Sequence, residues 1–114
     1  MQPIGVVMHH AACPSINGKG YDFFIRKDGT VIAAEEPQDT DYVHICLEGD
    51  FSRRLGGMSE GQLEEQCFVV QKLLIRLFGK YGLSTLMFHG HNTDCPGPYF
   101  PWSKLVISPA NRYH

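Results

Sequence analysis

Residues 59–82 read SEGQLEEQCFVVQKLLIRLFGKYG, and this run decides the fold class. Leu63, Cys67, Val70, Leu74, Leu77 and Tyr81 recur at steps of four and three. That spacing gathers them on one face of an α-helix. Phe68, Leu73 and Phe78 widen the stripe, and the pattern predicts a helix over residues 60–80. Ser59 is suited to the N-cap, and Gln62 three residues on completes a capping box. Met58 and Leu63 stand where a hydrophobic staple forms. Gly82 suits the left-handed residue that ends a helix.

Working outward, a strand is expected on either side of this helix. Tyr42 to Leu47 is apolar and β-branched and is stopped by Glu48-Gly49-Asp50. Leu83 to His89 follows the helix. A strand, a helix and a strand suggest a parallel pair joined by a crossover. Nearer the start, Ile4 to His9 reads as a strand ending at the pair His9-His10. Cys13 to Gly20 carries Pro, Ser, Asn and Gly and reads as a loop. Tyr21 to Arg26 and Val31 to Ala34 form a hairpin about Lys27-Asp28-Gly29-Thr30. Glu35 to Thr40 is a polar loop whose Glu35 and Glu36 read as solvated charges. The expected class is α/β: a single domain over residues 1–114 with a central mixed sheet covered by the long helix.

Composition narrows the function. The formal net charge of -2 leaves no broad basic surface for nucleic acid. No apolar run approaches the ~20 residues that a membrane span needs. The first residues lack the charged and apolar regions of a signal peptide, so a cytosolic start is expected. The cysteines are Cys13, Cys46, Cys67 and Cys95. Cys46, in an apolar strand, and Cys67, on the apolar helix face, read as small core residues. Cys13 receives no role. Cys95 differs, because it sits among Thr, Asp, Pro and Gly.

The chemistry concentrates in the tail. His89-Gly90-His91-Asn92-Thr93-Asp94-Cys95 holds two imidazoles and a thiol within seven residues. Imidazole nitrogen and thiolate sulfur are preferred zinc ligands. One His from the front, with one His and Cys95 from the back, makes three protein ligands. Three leave a fourth tetrahedral position for water, the catalytic arrangement. His9 and His10 alternate across a strand, so only one looks into a shared site. His89 and His91 are two apart and share a face while the strand lasts. The residues leave that choice open. His44 reads as an ordinary sheet histidine and His114 as tail. Phe100 and Trp102 read as anchors for the last segment.

Four segments carry a closer match. They are Val6–Ala12 (VVMHHAA), Gly20–Val31 (GYDFFIRKDGTV), Val43–Phe51 (VHICLEGDF), and Gly90-His91 with Thr93–Trp102 (TDCPGPYFPW). In this order they resemble the zinc-dependent type 2 N-acetylmuramoyl-L-alanine amidases, a family that includes phage lysozyme-amidases and catalytic peptidoglycan recognition proteins. The resemblance implies a mixed sheet flanked by helices and a Zn2+ ion held by His9, His91 and Cys95. It favours His91 over His89. It matches Tyr21 to an active-site tyrosine and places Thr93 facing the substrate. It implies hydrolysis of the amide between N-acetylmuramic acid and L-alanine by a monomer acting on peptidoglycan or muropeptides. A phage-type lysin released to the cell wall and an intracellular recycling enzyme both fit.

The chain departs from the pattern in places. Residues between His9 and Tyr21 are few, so the first helix is expected to be shortened or missing. Asp22 stands where His is common, and Cys46 where some members carry a catalytic Glu. Glu48, two later, is the weaker candidate for that role. Two further functions compete: a non-catalytic peptidoglycan-binding module of the same fold, and a cysteine hydrolase using Cys95.

Overall fold

Strand β1 (Gly5–His10) is paired along both edges. The structure is a computed structural model that describes residues 2–12, 21–36, 39, 41–91 and 95–105. Parallel neighbours of β1 are β4 (Tyr42–Leu47) and β5 (Phe88–Gly90). Outside β4 runs β2 (Phe23–Ile25), also parallel, and then β3 (Val31–Ala33), antiparallel to β2. The order is β3-β2-β4-β1-β5, the mixed sheet expected. Every residue of β1 is buried, which suits a strand covered on both faces and paired on both edges. β4 and β5 run parallel but are not the neighbouring pair expected, because β1 lies between them.

Helix α1 (Glu60–Tyr81) begins and ends as its sequence dictates. The Ser59 hydroxyl accepts from Gln62 N–H, and the Gln62 side chain accepts from Ser59 N–H. Gly82 closes the helix at φ 62°, ψ 38°, and its N–H donates to Phe78 O. Leu63, Cys67, Val70, Leu74, Leu77 and Phe78 pack on Val6, Met8, Ile25, Val43, Ile45 and Leu47 of the sheet. Phe51, Met58, Leu83, Phe100 and Leu105 complete this core, with Trp102 partly buried against it.

Two expectations are corrected here. Phe68 is 58% exposed, because it lies about 100° past Cys67 around the helix and off the buried stripe. Its ring instead carries the Lys72 ammonium 4.6 Å from its centroid. The last strand is shorter than residues 83–89, since a 3-10 turn over Thr85–Met87 precedes it. Among the described residues α1 is the one α-helix, and those between β1 and β2 hold none. Cys13, Thr93 and His114 lie outside the described residues.

Gln66 is the polar exception on the buried face of α1, fully enclosed. Its Nε2 donates to Ile25 O at 3.2 Å and Glu48 O at 2.9 Å. It thereby ties the helix to the ends of β2 and β4. Gln66→Leu removes both donors while keeping most of the volume. Glu48 O then loses its donor, whereas Ile25 O keeps Glu48 N–H at 2.8 Å, and the expected loss is about 1–3 kcal/mol in urea unfolding. An unchanged midpoint would show that Glu48 O finds another donor.

Candidate metal centre

The sheet has two faces, and β1 divides its histidines between them. Val6, Met8 and His10 point to the side packed by α1, and Val7 and His9 to the other. The parallel register pairs His9 with Cys46 and Val7 with His44, so His44 shares the His9 face. Past the end of β5, His91 N–H donates to Met8 O at 3.2 Å. This carries the ladder one residue further and sets the His91 ring 4.9 Å from that of His9.

Cys95 reaches the same place because Gly90 has no side chain. A Cβ there would fall 2.7 Å from Pro96 Cδ and 3.0 Å from Cys95 O. The next glycine, Gly97, has φ +98°, and a Cβ on it would fall 2.6 Å from the Phe51 carbonyl. Tyr99 N–H donates to Phe51 O at 2.8 Å. Gly90 and Gly97 thus press the segment around Cys95 onto β5 on one side and onto Phe51 on the other.

The ligand atoms of His9, His91 and Cys95 all lie within 4.8 Å of one another. Cys95 Sγ is 3.7 Å from His9 Nδ1. Tetrahedral zinc, with bonds of about 2.3 Å to sulfur and about 2.0 Å to nitrogen, separates two such ligands by about 3.6 Å. The donor set and its spacing therefore suit that ion. His9 and Cys95 are each 1% exposed, whereas His91 is exposed, so among the described residues the cluster meets solvent at His91.

Electrostatics keep His9 neutral. Its pKa is pushed down to about 3, first by burial, then by the charges that His44, His91 and His10 would carry. A neutral imidazole offers the lone pair a metal needs. His10, on the core face, accepts from Phe51 N–H at its Nδ1 at 2.9 Å. Burial also lowers its pKa, against the pull of Asp50. Burial pushes the Cys67 thiol up to about 11, in keeping with an inert core residue.

Most of the candidates named from the sequence meet here. The Tyr21 ring lies 5.8 Å from that of His9. His89, in contrast, is exposed, turned to Gly90 O and to the Tyr42 ring, and is not in the cluster. The Glu48 carboxylate accepts from Lys27 N–H at 2.9 Å and so serves the hairpin. Glu35 and Glu36 are exposed.

Sequence reasoning missed what lies behind His9. Its Nε2 is 2.8 Å from His44 Nδ1, and His44 Nε2 is 2.8 Å from Asp39 Oδ2. Asp39 is held below the usual carboxylate range by the Asp41 N–H and then by His44. Asp22, buried, accepts from His44 N–H at 2.7 Å and fixes the start of β4. The available signal was a histidine at a face-sharing position in an otherwise apolar strand.

Solved structures share this architecture. N-acetylmuramoyl-L-alanine amidase LysC from Clostridium intestinale URNW superposes with a TM-score of 0.66 at 22% identity, covering 92% of this chain and 83% of its own. The fold is that of N-acetylmuramoyl-L-alanine amidases. The endolysin amidase LysCS from Clostridium intestinale URNW gives 0.63 at 22% identity, covering 92% and 82%. A selenomethionine derivative of AmpD gives 0.66 at 15%, covering 92% and 83%. No family model matches the chain, and no curated relative matches it.

Two predictions follow from this geometry. Gly90→Ala pushes Cys95 and Pro96 off β5. Zinc affinity, measured by competition with a chromophoric chelator, should fall on the order of tenfold or more, as when support around a ligand is lost. Unchanged affinity would mean that Cys95 needs no such approach.

The second concerns pH. His9 and His10 are folded as neutral groups with pKa values below the ordinary 6.5. The unfolded chain takes up protons near 6.5 that the folded chain refuses. Stability is thus fully present above 6.5 and is lost as pH falls below it, toward about 3 for His9. The Tm of metal-free protein should drop between pH 7.5 and 5.5. In His10→Asn the amide oxygen replaces Nδ1 as acceptor for Phe51 N–H, and the drop should be shallower. An equal slope in both would remove His10 from the account.

Proposed function

We propose that this chain is a zinc-dependent hydrolase that cleaves the amide between N-acetylmuramic acid and L-alanine in peptidoglycan or muropeptides, acting as one catalytic domain. The observation that carries this reading is the convergence of His9, His91 and Cys95 within 4.8 Å, in a fold shared with solved amidases. Zinc, when bound, supplies Lewis acidity to the amide carbonyl and brings the pKa of a water toward neutrality.

The remaining work falls to the chain. His9 presents a neutral nitrogen, and Cys95 presents its sulfur as thiolate, a ligand and not a nucleophile. Exposed His91 marks the side from which substrate enters. The Tyr21 hydroxyl donates to the oxygen that gains charge as the carbonyl carbon becomes tetrahedral. Thr93, outside the described residues, is the second candidate donor. Tyr21 is also our candidate to protonate the leaving amine. Similarity in fold to an endolysin amidase supports a lysin acting on the cell wall.

One observation favours a second reading. Cys95 Sγ lies 3.7 Å from His9 Nδ1, the contact a thiol–imidazole nucleophile pair needs. The burial of Cys95 at 1% exposure weighs against a nucleophile that must meet a polymer.

Muropeptide hydrolysis with and without a chelator, then with zinc restored, decides between them. Cleavage that stops with chelator and returns with zinc is the expected result, and His91→Ala should abolish it while His89→Ala leaves most of it. Cleavage that ignores chelator but stops on alkylation supports the cysteine hydrolase. Retained muropeptide binding with no cleavage supports a recognition module.

A further inference from the structure

Behind the candidate centre, Asp39, His44 and His9 form a continuous line of hydrogen bonds from the protein surface to the cluster. Both links are 2.8 Å. The His44 and His9 rings lie nearly parallel, at 26°, with centroids 5.1 Å apart. Asp39 and His44 are partly exposed, at 34% and 18% of their side-chain surface, whereas His9 is buried.

The donors and acceptors along this line constrain one another. An ionised carboxylate only accepts, so His44 Nε2 carries a proton and donates to Asp39 Oδ2. A neutral His44 then has a bare Nδ1, which accepts from His9 Nε2–H. His9 in turn has a bare Nδ1, and this is the atom 3.7 Å from Cys95 Sγ. The opposite arrangement puts a proton on His9 Nδ1, between the imidazole and the thiol, where it blocks coordination. The line therefore sets which nitrogen of His9 bears the lone pair.

We propose that His44 and Asp39 are positioning residues that hold His9 as its Nε2–H tautomer and aim its Nδ1 at His91 and Cys95. This rests on the metal-site reading above. Metal-bound histidines generally donate their second N–H to an oxygen acceptor, which fixes the ring. Here a second histidine takes that place and passes the bond on to the carboxylate. The parallel pairing of β1 with β4 makes this possible, since it sets His44 beside Val7 and one step behind His9 on the same face.

The test pairs zinc affinity with a direct view of the ring. Long-range nitrogen–proton NMR on metal-free protein reports the His9 tautomer. Wild type should show the Nε2–H form. His44→Phe keeps a ring but removes the acceptor. His9 should become a mixture of tautomers, and zinc affinity should fall by about 10–100-fold. His44→Asn places an amide oxygen near the position of Nδ1, and should restore both the tautomer and most of the affinity. Asp39→Ala, at a more exposed position, should give a smaller loss in the same direction. Thermal melts establish that each variant is folded, and if His44→Phe is not, the Asn and Asp39→Ala variants carry the comparison.

Wild-type affinity and an unchanged His9 tautomer in folded His44→Phe and Asp39→Ala would overturn the proposal. So would a loss in His44→Phe that Asn does not relieve, since that pattern belongs to packing alone. If wild type binds no zinc, the metal-site reading fails. The tautomer spectra of metal-free protein then still decide whether His44 orders His9.

Discussion

Strand β1 is hydrogen-bonded on both edges, to β4 and to β5, and this leaves its side chains only two directions. Met8 and Val6 take one and join the core against α1. His9 takes the other. A register shift of one residue would exchange these roles, burying His9 in the apolar core and turning Met8 toward Cys95. The apolar packing of α1 therefore specifies the position of a polar group on the far side of the sheet. The same pairing sets His44 on one flank of His9 and His91 on the other, so one register assembles most of the cluster.

The cluster is asymmetric, and its asymmetry follows from how each member arrives. His9 comes from the middle of the sheet and is buried by its position. Cys95 comes from an irregular segment and is buried because Gly90 and Gly97 let backbone approach backbone. His91 comes just past a strand end, where the chain leaves the sheet, and is exposed. Two donors are enclosed and one stands at the rim, which is the open side. His9 and Cys95, at 1% exposure, sit where electrostatic interactions are stronger than at the rim.

Local pattern made much of the fold legible. The helix period, the Ser59–Gln62 capping box, Gly82 and the Gly29 turn each depend on residues within one or two turns of chain, and each appears where the sequence places it. The tail cluster was legible through residue type and through resemblance to the amidase pattern. What local pattern does not encode is pairing across the sheet. Nothing near Leu83 announces that β1 will separate β5 from β4, and nothing near His44 announces that His9 will lie behind it. Asp39 joins His44 across five residues of chain, and that hydrogen-bonded pair joins His9 only through a parallel register. Phe68 departs from the pattern for a different reason: one helical step of about 100° separates buried Cys67 from an exposed position.

His9 and His10 show how far neighbouring residues of one type can diverge. Both are buried and both are folded as neutral imidazoles, at a cost to stability in acid. His10 spends its Nδ1 on Phe51 N–H, and so fixes the turn against which the Cys95 segment later packs. His9 spends its Nε2 on His44 and keeps Nδ1 for the cluster. A proton and a metal ion compete for that same lone pair. The burial and like-charged neighbours that repel the proton thus favour the metal by removing its competitor, provided the three donors and the open side can disperse the ion's charge. A cation bound only by the folded chain would return stability in proportion to its affinity. The polar face of β1 is in this sense an energetic burden that a bound cation would relieve, and the apolar face, with α1, is what allows the fold to carry it.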